Sequence, residues 1–378
     1  MKKQKILITG GAGFIGTNLG KRLLASGYEL VVLDNLSEQI HGKNPVIEGT
    51  ILTAEGVMFV NADVRDRAAV TAALDGVDMI AHLAAETGTA QSMYQIAHYN
   101  EVNVQATAQL LDILANNPHS VKKIVLASSR SIYGEGAYQC AEHGEVYPAA
   151  RNASQLAAHA WDPVCPACKG QLTVISTPES ARPSPASIYA ATKYAQEDLI
   201  RIAGDALGIG TTVLRFQNVY GAGQSLNNPY TGILSIFSTR IRRGMSLPIF
   251  EDGLESRDFV HVDDVATAIQ LALETEAANG GTFNVGAGEP TSVLQIANML
   301  VDCFDGKIRP EVTGQYRLGD IRHCYADLTN IRSALGFQPQ VSLRQALAHF
   351  AEWVLSQPLP EDGLDKANEE LKKRKMMS

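Results

Sequence analysis

Two side chains with catalytic chemistry, Tyr189 and Lys193, lie four residues apart in the segment SIYAATKYAQEDL. On a helix, this spacing places both side chains on one face. A tyrosine can act as a base near neutral pH only if its pKa falls well below about 10, and a neighbouring ammonium group lowers it. In isolation such a pair is mostly a surface contact. Here it follows the segment SSRSIYG at the end of a predicted strand, where open α/β sheets bind ligands, and this position favours catalysis.

Three glycines, Gly10, Gly13 and Gly16, lie between a predicted strand and a predicted helix. Glycine permits the tight turn, the close approach of a diphosphate and close helix packing, and the helix N-terminus then faces the anion. Asp34 ends the next predicted strand, 18 residues after Gly16, where its carboxylate can accept hydrogen bonds from an adenosine ribose. No basic residue occurs in the following NLSEQ, so the pattern predicts NAD rather than NADP. The alternative is an incidental glycine turn.

Strand ends further along the chain supply the remaining predicted cofactor contacts. Asp63 ends a third predicted strand, and Ala84 and Ala85 follow a fourth, so these residues could line the adenine and ribose. Packing at the strand ends is the alternative for these three residues. The set predicted to line the cofactor in this part of the chain is Gly10, Gly13, Phe14, Ile15, Gly16, Asp34, Asn35, Asp63, Val64, Leu83, Ala84 and Ala85.

Residues 136–186 contain six prolines and little periodicity, and they are too long for an ordinary connection. Within this insertion, Cys140 pairs with His143 and Cys165 pairs with Cys168, each across two residues, and Gly170 can turn the second knuckle. This spacing matches a tetrahedral zinc site, which would give order to a polar loop. Four protein ligands leave no open position, so we expect a structural metal. A reversible disulfide between Cys165 and Cys168 and unliganded thiols are the alternatives.

The elements that would position these residues alternate between short apolar strands and amphipathic helices. Because the strands are continuously apolar, the pattern predicts an α/β fold, a Rossmann-type doubly wound parallel sheet with a smaller C-terminal lobe. Strands are predicted at 5–8, 30–33, 57–60, 79–83, 123–127 and 211–215, and helices at 17–26, 67–74, 99–115 and 188–207.

Three regions follow from this pattern. The predicted cofactor-binding domain covers residues 1–218 and includes the insertion at 136–186. Residues 219–358 are predicted to form mainly the substrate-binding lobe, with 258–287 packing back on the first domain. Residues 359–378 are highly charged, and we expect a solvated tail or a frayed helix there.

Composition excludes several classes of function. The 378-residue chain carries 40 acidic and 32 basic side chains, so its net charge of −8 repels polyanions and predicts no nucleic-acid partner. None of its apolar runs reaches the about 18 residues of a membrane span, so we expect no membrane partner. Glycines interrupt the apolar start and no cleavage-like segment follows, which predicts a mature cytoplasmic protein. Five cysteines are too few for a disulfide framework.

An ordered series of motifs resembles the extended short-chain dehydrogenase/reductase family, and within it the nucleotide-sugar epimerases. These motifs are GGAGFIG, DNLS, ADVRD, HLAAETG, ASSRSIYG, YAATK, RFQNVYG, SRDFVHVDDVA, FNVGAG and GDIRHCYAD, within about residues 5–354. The resemblance implies Tyr189 as the catalytic base, Lys193 as the anchor of the nicotinamide ribose that also lowers this pKa, and Ser129 as a partner of the reacting hydroxyl. It further implies Asn103 as a support near the cofactor and Phe216 to Val219 as packing beside the nicotinamide.

The resemblance also places Asn218, Arg257 and Arg322 around a diphosphate, with Leu247 to Phe250 as a wall for the base. A diphosphate in an acidic protein needs arginine, and an apolar segment with an aromatic ring suits a flat base. Salt bridges between lobes and core packing are the alternatives. The predicted substrate-binding residues are Glu86, Thr87, Ser129, Arg130, Ser131, Asn218, Leu247, Phe250, Arg257 and Arg322.

The chain departs from the 4,6-dehydratases of the family, which carry Thr-Asp-Glu where it has Ser129, Arg130 and Ser131. Eliminating water needs an acid and a base, so this segment favours removal and return of hydride, as in epimerisation at C4. Arg130 could bind substrate or form an outward ion pair.

The insertion and the segments SMY, NPYTG and GDIRHC resemble bacterial epimerases that interconvert dTDP-L-rhamnose and dTDP-6-deoxy-L-talose, and this nucleotide sugar is the predicted substrate. A UDP-glucose or UDP-N-acetylglucosamine 4-epimerase is the main alternative, and a catalytically silent NAD-binding regulator is another. The resemblance also implies a homodimer formed through the helices predicted at 99–115 and 188–207.

Overall fold

The computed structural model describes residues 3–228, 230, 232–304, 306 and 308–377, so the outer limits predicted for the first domain and the tail lie outside the described residues. The strands are β1 (Lys5–Thr9), β2 (Glu29–Asp34), β3 (Val57–Asn61), β4 (Met79–His82), β5 (Lys123–Ser129), β6 (Tyr138–Cys140), β7 (Gly144–Val146), β8 (Leu172–Val174), β9 (Gly210–Phe216), β10 (Asn218–Tyr220), β11 (Leu247–Ile249), β12 (Ser256–His261), β13 (Gly281–Val285), β14 (Pro290–Ser292), β15 (Pro310–Val312) and β16 (His323–Cys324). The helices are α1 (Phe14–Ala25), α2 (Glu38–His41), α3 (Arg67–Ala73), α4 (Thr89–Ser92), α5 (Ile96–Tyr99), α6 (Ala106–Asn116), α7 (Ala153–Ala157), α8 (Ile188–Leu207), α9 (Ile233–Arg242), α10 (Val262–Glu274), α11 (Val293–Cys303), α12 (Thr329–Leu335), α13 (Leu343–Ser356) and α14 (Leu364–Lys373).

Seven parallel strands form the main sheet, in the order β13-β9-β5-β4-β1-β2-β3. Helices cover both faces, and each face has its own buried apolar cluster. The order reverses between β1 and β4, which is where open α/β sheets leave a crevice at the carboxyl ends of their strands. The predicted Rossmann-type fold is confirmed.

The second lobe lies beyond β10 and has a separate apolar core from α9, α11, α13 and β11. Part of this chain region returns to the first lobe. Strand β13 pairs with β9 in the main sheet, and α10 packs against α1. The carboxyl ends of β5 and β9 therefore lie close to both lobes.

A six-residue π-helical turn, Asn100–Gln105, separates α5 from α6 in the region predicted as one helix over 99–115. A wider turn of this kind often occurs at functional sites. Its effect here is to direct Asn103 inward, where the side chain is fully buried.

The insertion has its own small antiparallel sheet, in the order β7-β6-β8. Arg151 fixes this region to the rest of the protein, since its Nε lies 3.1 Å from Glu135 Oε1 and its Nη1 lies 2.8 Å from Glu251 Oε2. Buried ion pairs are costly unless they are well hydrogen-bonded, and Arg151 also donates to two backbone carbonyls. The insertion is therefore docked against the second lobe.

The structure corrects the expected solvated tail. Residues Leu364–Lys373 form α14, and its side chains Leu364, Ala367 and Leu371 are buried. These apolar residues recur at helical spacing in a segment whose composition is otherwise polar, so average charge concealed an amphipathic helix. Among the described residues, no helix combines the length and the apolarity needed to cross a membrane.

Candidate active site

The glycine turn between β1 and α1 forms one end of a cavity of about 610 Å³. Gly10 has a φ of +68°, and a Cβ there would lie 2.8 Å from Ala84 backbone atoms. A Cβ on Gly16 would lie 2.6 Å from Gly10 O. Helix α1 begins after Gly13, which has no side chain to cap the first N–H groups, so these donors remain for an anion. The turn therefore fits the diphosphate of a dinucleotide.

The cavity is lined by the whole cofactor set predicted from the first strands, and by two residues predicted to bind substrate. Glu86 and Thr87 face this cavity rather than the second one described below. The lining residues from the predicted sets are Gly10, Gly13, Phe14, Ile15, Gly16, Asp34, Asn35, Asp63, Val64, Leu83, Ala84, Ala85, Glu86 and Thr87.

Asp34 is held in place at the end of β2 by backbone donors. Its Oδ2 accepts from Ala12 N at 3.0 Å and its Oδ1 accepts from Leu36 N at 2.9 Å. His41, a residue beyond the NLSEQ segment, lies in the same cavity with its Nε2 3.7 Å from Asp34 Oδ1. The sequence reasoning had not considered this imidazole.

Asp63 is tied to a second unanticipated basic residue, Arg65. Three hydrogen bonds join them, from Arg65 N to Oδ1 at 2.9 Å, from Nε to Oδ1 at 2.8 Å and from Nη2 to Oδ2 at 2.9 Å. Asn35 Nδ2 also donates to Asp63 Oδ2 at 3.0 Å. The hydrogen bond from Arg65 lowers the pKa of Asp63 to about 2. The carboxylate is thus ionised at neutral pH.

Ser129 and Tyr189 come together where β5 ends and α8 begins. The Ser129 side chain hydrogen-bonds the Tyr189 phenol, and Ser131 donates to Ser129 Oγ from its hydroxyl at 3.0 Å. Tyr189 N donates to Ser92 Oγ at 3.0 Å, which fixes the first turn of α8 against α4. Burial raises the pKa of Tyr189 above its ordinary value, while Ser129 and the charge of Arg130 oppose that rise.

Lys193 lies one turn along α8 and is 3% exposed. Its Nζ donates to Gln196 Oε1 at 2.8 Å, and Gln196 Nε2 donates to Thr107 Oγ1 at 2.7 Å. His82 continues this buried polar chain, with Nε2 2.9 Å from Thr107 Oγ1 and Nδ1 2.8 Å from Thr9 Oγ1. Burial lowers the pKa of Lys193 to about 7. The charge of Arg130 lowers the pKa of Tyr189 here, an effect that the sequence analysis had expected from Lys193.

Asn103 connects the π-helical turn to both neighbouring segments. Its Oδ1 accepts from Glu86 N at 2.8 Å, and its Nδ2 donates to Glu86 O at 3.1 Å and to Thr192 Oγ1 at 3.0 Å. Because Thr192 precedes Lys193 on α8, Asn103 positions the wall of the cavity relative to that helix. Phe216 and Val219 pack in the apolar cluster on the α1 face of the sheet.

A second cavity of about 220 Å³ lies between the lobes. Arg130 turns inward to it, with its Nε donating to Asn218 Oδ1 at 3.0 Å, so the alternative of an outward ion pair does not hold. Arg257 also lines it and is held by backbone carbonyls, including Ile321 O at 2.7 Å. Burial and Arg257 lower the pKa of Arg130 to about 10. Two guanidinium groups that repel one another favour an anion between them, and the carboxyl groups of Glu251, Glu255 and Asp320 line other parts of the same cavity.

Arg322 does not face this cavity. It is 2% exposed and forms a two-point pair with Asp252, at 2.7 and 2.8 Å, and a further contact with Asp162 at 2.8 Å. Leu247 is fully buried in the core of the second lobe and also does not line the cavity. Carboxylates therefore surround Arg322, and apolar side chains surround Leu247.

Arg317 was missed by the sequence reasoning. It lines the second cavity, and its guanidinium carbon lies 4.6 Å from the centroid of the Phe250 ring. Arg317 Nη2 also donates to Asn368 Oδ1 at 2.7 Å, a residue of α14. The sequence reasoning also missed a buried ion pair between Arg215 of β9 and Glu197 of α8, whose Nη2 and Oε2 atoms are 2.7 Å apart. Arginine and glutamate lack a distinctive spacing in these segments, so only the packing identifies them.

The four predicted metal ligands converge in the insertion. The ligand atoms of Cys140, His143, Cys165 and Cys168 all lie within 4.8 Å of one another. Cys140 Sγ is 3.7 Å from Cys168 Sγ and 3.6 Å from His143 Nδ1, and Cys165 Sγ is 3.7 Å from His143 Nδ1. A zinc–sulfur bond of about 2.3 Å would place two sulfurs of a tetrahedron about 3.8 Å apart. The cluster therefore has the dimensions of a zinc site.

The second knuckle turns at Lys169, which has a φ of 62°, and not at Gly170. Gly170 instead donates its N–H to Cys168 Sγ at 3.4 Å, and a Cβ on it would lie 3.2 Å from that sulfur. Cys165 N donates to Gly170 O at 2.9 Å and closes the turn. A side chain at this position would crowd the sulfur of Cys168.

Comparisons with known proteins agree with this geometry. The profile of the family described as "NAD dependent epimerase/dehydratase family" matches residues 6–286. A dTDP-L-rhamnose 4-epimerase of Burkholderia thailandensis is 41% identical over 353 residues, which cover 93% of this chain and 95% of that protein. The UDP-glucose 4-epimerase of Thermotoga maritima, solved with UDP-glucose, is 29% identical with a TM-score of 0.76, covering 93% and 99% of the chains. The UDP-glucose 4-epimerase of Thermus thermophilus, solved with NAD, is 26% identical with a TM-score of 0.73, covering 94% and 100%.

Proposed function

Because this chain belongs to the NAD-dependent epimerase/dehydratase family, we propose that it epimerises a nucleoside-diphosphate sugar at C4 through a transient 4-keto sugar. The observation that carries this proposal is the position of the Ser129–Tyr189 pair. Ser129 lies in the chain between Ala127, which lines the cavity that fits a dinucleotide, and Arg130, which lines the cavity that fits an anion. The Tyr189 phenol lies beside Ser129. The resemblance found in the sequence motifs is confirmed by the family match.

The residues divide the work by their chemistry. Tyr189 takes the proton of the C4 hydroxyl, and Ser129 holds that oxygen. Bound NAD would supply the hydride acceptor and donor. Lys193 binds the nicotinamide ribose, and in the loaded site its charge adds to that of Arg130 in lowering the pKa of the phenol. Burial alone raises this pKa, so positive charge beside the phenol favours its action as a base.

Arg130 and Arg257 bind the diphosphate, and the stacked side chains of Phe250 and Arg317 form the surface against which the base packs. Two inward guanidinium groups in one cavity support the first assignment, since arginine forks match phosphate oxygens. Stacking of Arg317 on Phe250 supports the second, because a flat apolar wall accepts a pyrimidine. The same diphosphate contacts hold the substrate while the keto sugar presents its opposite face.

We infer dTDP-L-rhamnose and dTDP-6-deoxy-L-talose as the substrate pair, because the relative with that name is 41% identical along nearly the whole chain. UDP-glucose or UDP-N-acetylglucosamine is the second candidate, supported by solved relatives of lower identity. Ser129-Arg130-Ser131 supports epimerisation over dehydration, as it has no carboxyl group to move protons at C5 and C6.

Incubation of the purified enzyme with a panel of dTDP- and UDP-sugars, followed by NMR of the products, tests both base and sugar. We expect a C4-inverted product from dTDP-L-rhamnose and at least tenfold slower reaction with each UDP-sugar. Faster turnover of a UDP-hexose would move the assignment to the second candidate. No turnover with any sugar, while NAD remains bound, would favour a silent NAD-binding regulator.

We further propose that Cys140, His143, Cys165 and Cys168 bind one structural zinc. Sulfur–sulfur and sulfur–nitrogen distances near those of a tetrahedral site support this, as does the N–H of Gly170 directed at Cys168 Sγ.

We also propose that the protein forms a homodimer through α6 and α8. Helices α6 and α8 pack side by side, and α8 presents Ile202, which is 59% exposed. Pairing of these helices with those of a second copy would cover this side chain. Sedimentation of the parent and of an Ile202→Glu variant would test the interface, with a monomer expected for the variant only.

A further inference from the structure

Helix α14 closes one side of the second cavity. Its residues Leu364, Ala367 and Leu371 line the cavity and are each at most 5% exposed. They share one face of the helix, because they recur at intervals of three and four residues. The opposite face is charged and exposed, as at Glu369 and Lys372. The helix thus adds an apolar wall to a site that the two lobes leave partly open.

Polar contacts anchor α14 to both lobes. Glu370 Oε2 accepts hydrogen bonds from Tyr94 OH and Tyr230 OH, both at 3.1 Å. Tyr94 follows α4 in the first lobe and Tyr230 precedes α9 in the second, and the two phenols are themselves 3.1 Å apart. Arg374 lies over the Tyr94 ring, 4.2 Å from its centroid. One carboxylate therefore joins the lobes across the mouth of the cavity.

The helix also contacts the elements that face the nucleotide. Asn368 Oδ1 accepts from Arg317, the residue stacked on Phe250. In the other direction, Tyr94 follows Ser92, whose Oγ accepts the N–H of Tyr189 at 3.0 Å. A shift of α14 would therefore move the proposed wall for the base, and it would disturb the segment that fixes the start of α8.

The size of the cavity indicates that α14 lies in a closed position. Its volume of about 220 Å³ falls below the range of roughly 300–1,000 Å³ typical of ligand pockets. A nucleotide sugar is larger than that space, so it cannot enter fully unless a wall yields. The wall most able to yield is α14, because the side chains that anchor it, Asp365 to Arg240, Asn368 to Arg317 and Glu370 to the two tyrosines, make polar contacts at a partly exposed surface.

We propose that α14 is a lid that opens to admit the nucleotide sugar and then packs on its nucleoside diphosphate through Leu364, Ala367 and Leu371. This inference rests on the proposed function. A closed lid excludes water from the reacting sugar and retains the keto intermediate, which a reversible oxidation requires. Specificity for the base then depends in part on a segment outside both lobes.

The test measures binding of dTDP and of NAD by calorimetry in three full-length forms and one shortened form of the enzyme. These forms are the parent, Glu370→Ala, the matched control Glu369→Ala on the exposed face, and a chain ending at Leu359. We expect dTDP binding to weaken about threefold to tenfold in Glu370→Ala and at least tenfold in the shortened chain. NAD binding should stay within twofold in all forms. Thermal melts show whether the shortened chain has folded. If it has not, dTDP binding by Glu370→Ala decides whether α14 contributes to the site.

Limited trypsin digestion provides a second readout, because Lys372 and Lys373 are exposed on α14. Saturating dTDP should slow cleavage there at least fivefold, whereas NAD alone should not. If the parent binds dTDP, but the variants bind it equally well and dTDP does not slow cleavage, the lid proposal is wrong while the proposed function stands. If the parent binds neither dTDP nor UDP, the proposed function fails and the lid fails with it.

Discussion

At the scale of single residues, the central assignment is Tyr189 as the base. Replacing it by Phe removes the reacting oxygen and keeps the ring, so we expect turnover to fall more than a hundredfold with NAD still bound. Single-turnover assays and cofactor fluorescence would measure both effects. The matched control is Tyr147→Phe, which alters an exposed phenol in the insertion. A loss of less than tenfold for Tyr189→Phe, about 1.4 kcal/mol, would show that another group takes the proton.

The buried ammonium of Lys193 predicts a pH dependence of stability. In the folded apoprotein burial lowers its pKa to about 7, whereas the unfolded chain keeps the ordinary value. Between about pH 7 and 10 the unfolded chain therefore binds more protons, and the stability contributed by this group rises with pH. Relative to Lys193→Met, the parent apoprotein should gain about 2 kcal/mol from pH 7 to pH 9 in urea unfolding. An equal pH dependence in parent and variant would contradict the lowered pKa.

At the scale of elements, the insertion is predicted to depend on its metal. Protein purified without chelator should contain about one zinc per chain, and Cys165→Ser should lose it whereas Cys303→Ser should not. Loss of zinc should raise KM for the nucleotide sugar before it weakens NAD binding, because Arg151 connects the insertion to Glu251 in the second cavity. Less than about a tenth of an equivalent of metal, with Cys165 and Cys168 freely alkylated, would contradict the zinc site.

Elements differ in how far the sequence specifies them. Six of the seven strands of the main sheet were predicted to within two residues, since buried parallel strands form continuous apolar runs, whereas β13 was not predicted as a strand. Helix α8 was predicted with its observed bounds, 188–207, because Ser187 caps its start and Gly208 ends it in the left-handed region. The π-helical turn at Asn100–Gln105 was not predicted, as a change in hydrogen-bond register leaves residue periodicity almost unaltered.

The candidate site was predictable where one element supplies it and less so where elements meet. The glycine turn and the Tyr189–Lys193 spacing are local: the glycines line the first cavity, Tyr189 lies beside Ser129, and Tyr189 and Lys193 share helix α8. Which arginine faces the second cavity depends on how the lobes pack, and Arg317 and Arg322 are only five residues apart in one loop region. Their environments differ because Asp252 and Asp162 surround one and Phe250 lies under the other.

At the scale of the whole molecule, the two cavities both reach the carboxyl end of β5. Ala127 of β5 lines the first cavity, and Arg130, directly after Ser129 and the end of β5, lines the second. An enzyme that oxidises and then reduces the same carbon must hold its cofactor throughout the cycle. Two cavities that meet at this strand end suit the proposed reaction, in which bound cofactor and sugar react beside Ser129 and Tyr189.

The most direct test of this account follows hydrogen at C4 during turnover. With dTDP-L-rhamnose deuterated at C4, the epimerised product should retain deuterium at C4 by NMR, because the same hydride leaves and returns. Reaction of unlabelled substrate in heavy water should introduce no deuterium at carbon. Solvent deuterium at C3 or C5, or stoichiometric release of NADH, would contradict C4 epimerisation through a retained keto intermediate.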